Sequence, residues 1–384
     1  MRIDSRKRME CCGCTACENI CPCHAISMQS DNRGFFYPVI DNSKCTDCGA
    51  CAKICQFHPN YNRDNNFDKP KVYAIRVLNI AELAKSQSGG AFYVLSQKIL
   101  QNGGVVYGVG FSDHFRAVHK RIMTPEDRDD LRLSKYVQSD IRCIFPQIKD
   151  DLSKGLEVLF TGTPCQVAGL KAYLKKNTGK LTTLDLVCHG VPAPNIWEDY
   201  LKYLETRYKS EIVMACFRDK KFGWASHMES FVFANRQQIY RKTFRVLFYA
   251  NYIIRESCAN CPYANLQRVG DITIGDFWGW TKNHSEFNDD NGLSLVLVNS
   301  KKGERLFQDI QSDIHFIASD TIECLQPQLR APIRFPKNWD AFVRDYTKHG
   351  FEYVAKRYGD IGWQYQMKRA YGFAKRTAKK LLTR

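Results

Sequence analysis

The sequence predicts a small cysteine-rich α+β domain, then a larger α/β domain on a mixed sheet, then a basic helical tail. Three observations carry this. Ten of the 17 cysteines lie between Cys11 and Cys55. From Lys71 onward, apolar runs of strand length alternate with segments of helical period. Residues 337–384 hold twelve Lys or Arg against four Asp or Glu, which is +8 of the net +16. The expected divisions are 1–62, 71–335 and 336–384, with the polar stretch YNRDNNFDKP (61–70) as a linker.

Composition narrows the function classes. A hydrophobic share of 44% and a charged share of 25% are ordinary for a soluble globular chain. There is no apolar run of about 18 residues, the minimum for a membrane span, and MRIDSRKRME lacks the apolar stretch of a secretory signal. The expected location is therefore the cytoplasm. In that reducing compartment grouped cysteines read as metal sites rather than disulfides. The basic charge comes without stacked aromatic platforms, so no nucleic-acid partner is expected.

In the first domain the spacing is specific. Cys11-x2-Cys14-x2-Cys17-x3-Cys21-Pro22 is followed by Cys45-x2-Cys48-x2-Cys51-x3-Cys55. This is the ferredoxin-like pattern for two [4Fe–4S] clusters, in which the fourth cysteine of each run serves the other cluster. Three closely spaced thiolates wrap one cubane, and the next helical turn carries the fourth toward its neighbour. Cys11, Cys14, Cys17 and Cys55 are assigned to one cluster; Cys45, Cys48, Cys51 and Cys21 to the other. Zinc also binds paired CxxC groups, but two complete four-cysteine runs argue against it. Gln56 stands where a second proline is expected, and Cys12 and Cys23 fall off the spacing, as bystanders or as redox-sensitive thiols.

In the larger domain KVYAIRV (71–77), GVVYGVGF (104–111), LEVLFTG (156–162) and LTTLDLVCHG (181–190) read as strands. Helices are expected over 89–100, 165–176 and 194–207. The alternation near SHMESFVFAN, within 212–245, predicts antiparallel strands at one edge of the sheet. Beyond Pro336 the chain reads as helical and basic.

Four blocks here carry chemistry. Gly162-Thr163-Pro164-Cys165-Gln166 follows a strand and opens a helix, and Cys188-His189-Gly190-Val191-Pro192 follows the next strand. Cys258-x2-Cys261-Pro262 precedes Gly270-Asp271-Ile272-Thr273-Ile274-Gly275-Asp276-Phe277-Trp278-Gly279. In that order, behind a two-cluster ferredoxin, these blocks resemble the beta subunit of coenzyme F420 hydrogenase and dehydrogenase, over residues 5–335. The resemblance implies an α/β flavin domain that holds FAD and an iron–sulfur cluster. In archaeal members of that family the flavin exchanges hydride with a deazaflavin coenzyme.

Read as residues, Cys165 and Cys188 stand at strand C-termini, where ligands of α/β sheets collect, and Cys258 and Cys261 have ligand spacing. They form a candidate set for a third [4Fe–4S] cluster; the alternative is buried neutral thiols. That would leave Cys12, Cys23, Cys143, Cys216 and Cys324 as non-ligands. For FAD the candidates are Ser88, Gly89 and Gly90, at a helix start suited to phosphate, and Lys135, Tyr136, Gln138 and Ser139, a cation with polar groups. Both also read as an ordinary turn and surface residues. His189 is a proton carrier or a structural histidine, while Asp276 and Trp278 are structural or flanking the flavin. Gly103–Gly110 lacks the GxGxxG spacing of a nicotinamide site.

Arg369, Lys375, Arg376, Lys379, Lys380 and Arg384 interleave with Tyr371, Phe373, Leu381 and Leu382. Such a tail packs on its domain, docks an acidic partner, or rests at the inner face of a membrane. The leading expectation is an iron–sulfur flavoprotein oxidoreductase that passes electrons between its clusters and FAD and exchanges them with a redox partner protein or a reduced coenzyme. Two others stand beside it. One is a bacterial reductase of a different small molecule, linked to surface polysaccharide synthesis. The other is an electron-transfer subunit with no substrate site of its own.

Overall fold

The computed structural model describes residues 3, 6–61, 66–175, 179–280, 284–363, 365 and 367. Each N-terminal cysteine run pivots on a residue with positive φ: Thr15 (63°) before the helix Ala16–Ile20, and Gly49 (70°) before the helix Ala50–Lys53. The third cysteine of each run rides the first helical turn and the fourth follows the helix end. Between the runs, strands β1 (Ile26–Ser30) and β2 (Phe36–Ile40) form an antiparallel hairpin, Ile26 opposite Ile40. Ile26, Met28 and Ile40 bury under it with Ile3 and Cys17. So small an apolar cluster supplies little stability, which leaves this region dependent on its metal sites and on the body beside it.

Eleven further strands follow: β3 (Lys71–Val77), β4 (Val105–Phe111), β5 (Ala117–Ile122), β6 (Val158–Gly162), β7 (Leu181–Leu186), β8 (Ile212–Cys216), β9 (Glu229–Phe233), β10 (Gln238–Arg241), β11 (Ile272–Asp276), β12 (Ser294–Val298) and β13 (Ile314–Ser319). Eight of them make one mixed sheet, in the order β13-β3-β12-β11-β7-β6-β4-β5. Its centre, β4-β6-β7-β11, is parallel, and both flanks are antiparallel. Central strands must be apolar on both faces, and all five residues of β6 are buried. Val106 and Leu159 face the helices Ala91–Gln101 and Lys301–Asp309. Their neighbours Tyr107 and Phe160 face the helices Ile144–Ser153 and Pro164–Leu174, together with Ala16 and Ile54 of the cysteine region.

Two expectations are corrected. Strand β7 stops at Leu186, not 190, because after Val187 donates to the Ile274 carbonyl the chain turns away toward Gly190 (φ 141°). The antiparallel strands near residue 230 do not extend the main sheet; β10-β9-β8 form a sheet of their own. The edges of the main sheet are occupied by β5 and β13, and Phe231 and Phe233 of β9 pack instead with Trp197 and Tyr200 of the helix Pro194–Tyr208. The helix Trp339–Arg357, interrupted at Gly350, adds Phe342, Tyr346, Phe351 and Val354 to that cluster. Its start is thus core-packed, while the basic residues from Arg369 to Arg384 lie outside the described residues. Among the described residues no helix is long and apolar enough to cross a membrane.

Glu229 on β9 is buried, accepts hydrogen bonds from Tyr200 Oη (2.8 Å) and Arg245 N (2.7 Å), and burial pushes its carboxyl up to about 7. A carboxyl whose folded pKa is raised leaves the folded state holding more protons than the unfolded one between the two pKa values. Stability therefore falls as pH rises from the unfolded value of about 4.3 toward 7. Thermal midpoints measured from pH 5 to 8 should decline, and Glu229→Gln should flatten that decline. A wild-type slope that persists in Glu229→Gln would assign it to another group.

Candidate functional site

The structure gathers the cysteines into three groups. Cys21, Cys45, Cys48 and Cys51 line one cavity, floored by Ile26 and Ile40, with Cys23 at its wall. Cys11, Cys14, Cys17 and Cys55 gather as a second group. Burial pushes the Cys17 thiol well up, and the nearby Cys14, Cys11 and Cys55 push it further. The fourth cysteine of each run thus lies with the other run's three.

The third group draws on distant segments. Cys165 starts the helix Pro164–Leu174, whose capping box pairs Thr163 with Gln166. Cys188 follows β7, and Cys258 and Cys261 sit on a turn directly after Arg255. All four line one cavity, joined by Cys12, His189 and Arg255. Burial raises the Cys188 thiol well above its usual range, Cys258 to about 12 and Cys261 to about 11. Among the described residues, no three metal-ligating side chains close tightly around a single-ion point.

A seam joins the second and third groups. Cys12, expected as a bystander, is buried and in thiol–thiol contact with both Cys14 and Cys165. Gln56 Nε2 donates to Cys12 Sγ (3.3 Å) and to the Cys165 carbonyl (2.8 Å). A proline at position 56 has no side-chain donor and could make neither bond. The departure from the ferredoxin pattern therefore ties the two regions together.

Beside the third group lies a larger cavity of about 360 Å³. Thr161–Thr163, Leu184, Leu186–Cys188 and Ile274–Asp276, at the C-terminal ends of three parallel strands, form its floor, as expected for an α/β site. Cys188, His189, Gly190, Val191 and Gln328 line both cavities, so one loop is their common wall. His189 is held there as a neutral imidazole: Nε2 donates to Asn251 Oδ1 and Nδ1 accepts from Gln328 Nε2, each at 2.8 Å. Burial lowers its pKa.

Of the flavin candidates, Ser88, Gly90, Lys135, Tyr136 and Ser139 line this cavity. Ser88 Oγ is committed to the Leu293 carbonyl (2.7 Å) and Ser139 Oγ to His119 Nδ1 (3.0 Å). Two candidates do not line it. Gly89 is wedged between strands, where a Cβ would come 2.2 Å from the Ile75 carbonyl oxygen. Gln138 turns to the cysteine side, donating to the Cys12 carbonyl (3.0 Å) and accepting from Arg255. Asp276 pairs with buried Arg218 (2.6 Å), which reaches Tyr136 Oη (3.4 Å), and Trp278 stacks on Trp224 with centroids 4.6 Å apart. Arg218, Gln87 and His227 also belong to this neighbourhood, and no motif spacing in the sequence singles them out.

The exchange of fourth cysteines has a direct test. Cys21→Ser should damage the cluster held by Cys45, Cys48 and Cys51, and Cys55→Ser the one held by Cys11, Cys14 and Cys17. In paramagnetic spectra of the reduced variants, Cys21→Ser should lose the same signal as Cys48→Ser, and Cys55→Ser the same signal as Cys14→Ser; the opposite matching would refute the exchange.

Comparison with known proteins agrees with this layout. Residues 10–58 match the 4Fe-4S dicluster domain, and residues 155–323 match the family described as the C terminus of the coenzyme F420 hydrogenase/dehydrogenase beta subunit. Among solved structures, a chain of the F420-reducing [NiFe] hydrogenase complex from Methanosarcina barkeri matches at 17% identity, covering 79% of this chain and 97% of that one, with a TM-score of 0.46. No curated protein sequence matches. The chain thus carries a 4Fe-4S dicluster domain and, behind it, a C-terminal domain of the coenzyme F420 hydrogenase/dehydrogenase beta-subunit family.

Proposed function

We propose that the protein is an iron–sulfur flavoprotein oxidoreductase, with a third [4Fe–4S] cluster on Cys165, Cys188, Cys258 and Cys261 and FAD in the adjoining cavity. The shared wall Cys188–Val191 carries this reading: a thiol set and a ligand-sized cavity meet across one loop. Four convergent thiols are the donor set of a cubane. Buried thiolates there need a compensating positive centre, because burial alone opposes their ionisation.

The flavin fit has its own support. The cavity lies within the roughly 300–1,000 Å³ range of small-molecule sites. The helix Ala91–Gln101 points its N-terminus at it through Gly90 and Ala91, offering backbone N–H groups to a phosphate. Tyr136, Phe248, Tyr249 and Trp278 give it aromatic walls. Among the described residues, both amide atoms of Gln87 on the same wall are buried without a hydrogen-bond partner, which suits a ligand edge with both donors and acceptors. Bound flavin supplies two-electron exchange with a substrate and single-electron exchange with the clusters. The chain's part is to hold these groups, exclude water and fix charges: the Arg218–Asp276 pair is set in place, and neutral His189 puts no charge between the cavities. By family resemblance, a reduced deazaflavin is the first substrate to try.

Anaerobic purification followed by iron, sulfide and flavin assay is the primary test. About twelve irons and one FAD per chain are expected, falling to about eight irons in Cys188→Ser. About eight irons and no flavin in the wild type would overturn the proposal.

Lys135 gives a second test. Burial holds its ammonium down to about 8, so the cavity loses a cation as pH rises through that value. Flavin affinity should fall several-fold from pH 7 to 9 in the wild type and stay flat in Lys135→Met. A wild-type fall that persists in the variant would exclude Lys135.

A further inference from the structure

The deeply buried arginines of this chain differ in one respect. Arg33 pairs with Glu256 (2.8 Å), Arg218 with Asp276 (2.6 Å) and Arg268 with Asp185 (3.0 Å). Arg255 is fully buried, and among the described residues no carboxylate comes within ion-pair distance of it. Its Nε donates to the Cys11 carbonyl (2.7 Å), its Nη1 to Gln138 Oε1 (2.9 Å) and its Nη2 to the Phe36 carbonyl (2.8 Å). Nη2 also points at Cys11 Sγ, 3.6 Å away. The guanidinium rests over the rings of Tyr37 (4.4 Å) and Phe35 (5.3 Å).

Carbonyls and rings satisfy the geometry of a guanidinium but not its full charge, and an unpaired buried cation is expensive. Two anionic centres would supply the missing charge. On one side stands Cys11, a ligand of the inner ferredoxin-type cluster. On the other, Arg255 lines the cavity of Cys165, Cys188, Cys258 and Cys261. Its carbonyl also accepts from Cys258 N (3.1 Å), fixing the arginine to that ligand turn. Gly13, at φ 71°, leaves room for this approach: a Cβ there would stand 3.1 Å from Arg255 Nη1.

We propose that Arg255 is the shared counter-cation of two iron–sulfur centres, the inner ferredoxin-type cluster and the third cluster, and raises the reduction potential of both. The proposal rests on the third-cluster reading above. Reduction adds one negative charge to a cluster, so a fixed cation stabilises the reduced form more than the oxidised form. A donor aimed at a ligand sulfur acts in the same direction. One guanidinium in contact with Cys11 and within electrostatic reach of Cys165 and Cys258 moves the two potentials together. The outer cluster at Cys21, Cys45, Cys48 and Cys51 does not share it.

The test is potentiometry followed by paramagnetic resonance on the full chain, prepared anaerobically. Signals are assigned by their loss in Cys21→Ser and Cys188→Ser. In Arg255→Gln two of three couples should shift to lower potential, each by tenfold or more in its reduction equilibrium, about 59 mV per tenfold for one electron. The outer couple should stay in place, and Arg255→Lys should recover most of the shift. Should Arg255→Gln fail to load iron, Gln138→Glu, which sets a carboxylate on the guanidinium, should lower the same two couples. Unmoved couples, or an equal shift of all three, would overturn the role of Arg255. A wild type with only about eight irons and two couples would remove the third cluster instead, so the two failures are distinguishable.

Discussion

Cys14 lies against the helix Pro164–Leu174 at Gly169, where an added Cβ would come 2.7 Å from the Cys14 Cβ and 2.8 Å from its sulfur. This close approach is the constraint on which the rest of the arrangement depends. The same helix carries Cys165 at its first turn, so seating the ferredoxin loop on it brings two cysteine groups within one thiol of each other. Cys12 fills that gap, and Gln56 pins it. A bulkier residue at 169 would have to lift the loop, and overpacking of this kind costs about 1–3 kcal/mol.

The large body, in turn, exists to hold three loops at fixed separations. Parallel strands β6 and β7 release Cys165 and Cys188 side by side, and β11 brings Asp276 to the edge of the same opening. Arg268 locks this geometry from behind, bonded to Asp185 Oδ1 (3.0 Å) and the Leu186 carbonyl (2.8 Å) just before the Cys188 loop. The buried charges are thus placed at loop roots, where they fix backbone rather than merely fill space.

What the sequence made legible was local. Ligand spacing is a short-range property, so the two N-terminal runs could be read directly, and β3 was bounded correctly, opening just after Pro70 and closing just ahead of the polar Asn79. The partition of β8, β9 and β10 into a separate sheet was not legible, since alternation marks a strand but not its neighbour. The same limit hid the seam. Gln56 and Cys165 are 109 positions apart, and Arg255 and Cys11 are 244. Nothing in either segment alone calls for the other. Gln56 was visible only as a departure from pattern, Cys12 only as a cysteine out of step. Lys135, Tyr136 and Gln138 looked alike in sequence, yet a single reversal of side-chain direction sends Gln138 to the cysteines and its neighbours to the cavity.

The outer cysteine group differs from the others in its cover. Cys48 is exposed, as are Asp41–Lys44 and Thr46–Asp47 around it, whereas Cys17 and Cys12 are buried and the third group sits behind the loop Cys188–Val191. Exposure leaves that rim the part of the cysteine region open to a redox partner, and it also makes it the first point that dissolved oxygen can reach. Air would therefore attack the centres in spatial order, the outermost before the inner ones. On the proposed function, a preparation that has lost its outer centre would be cut off from any partner that docks at the rim, while the centres behind the seam stayed intact.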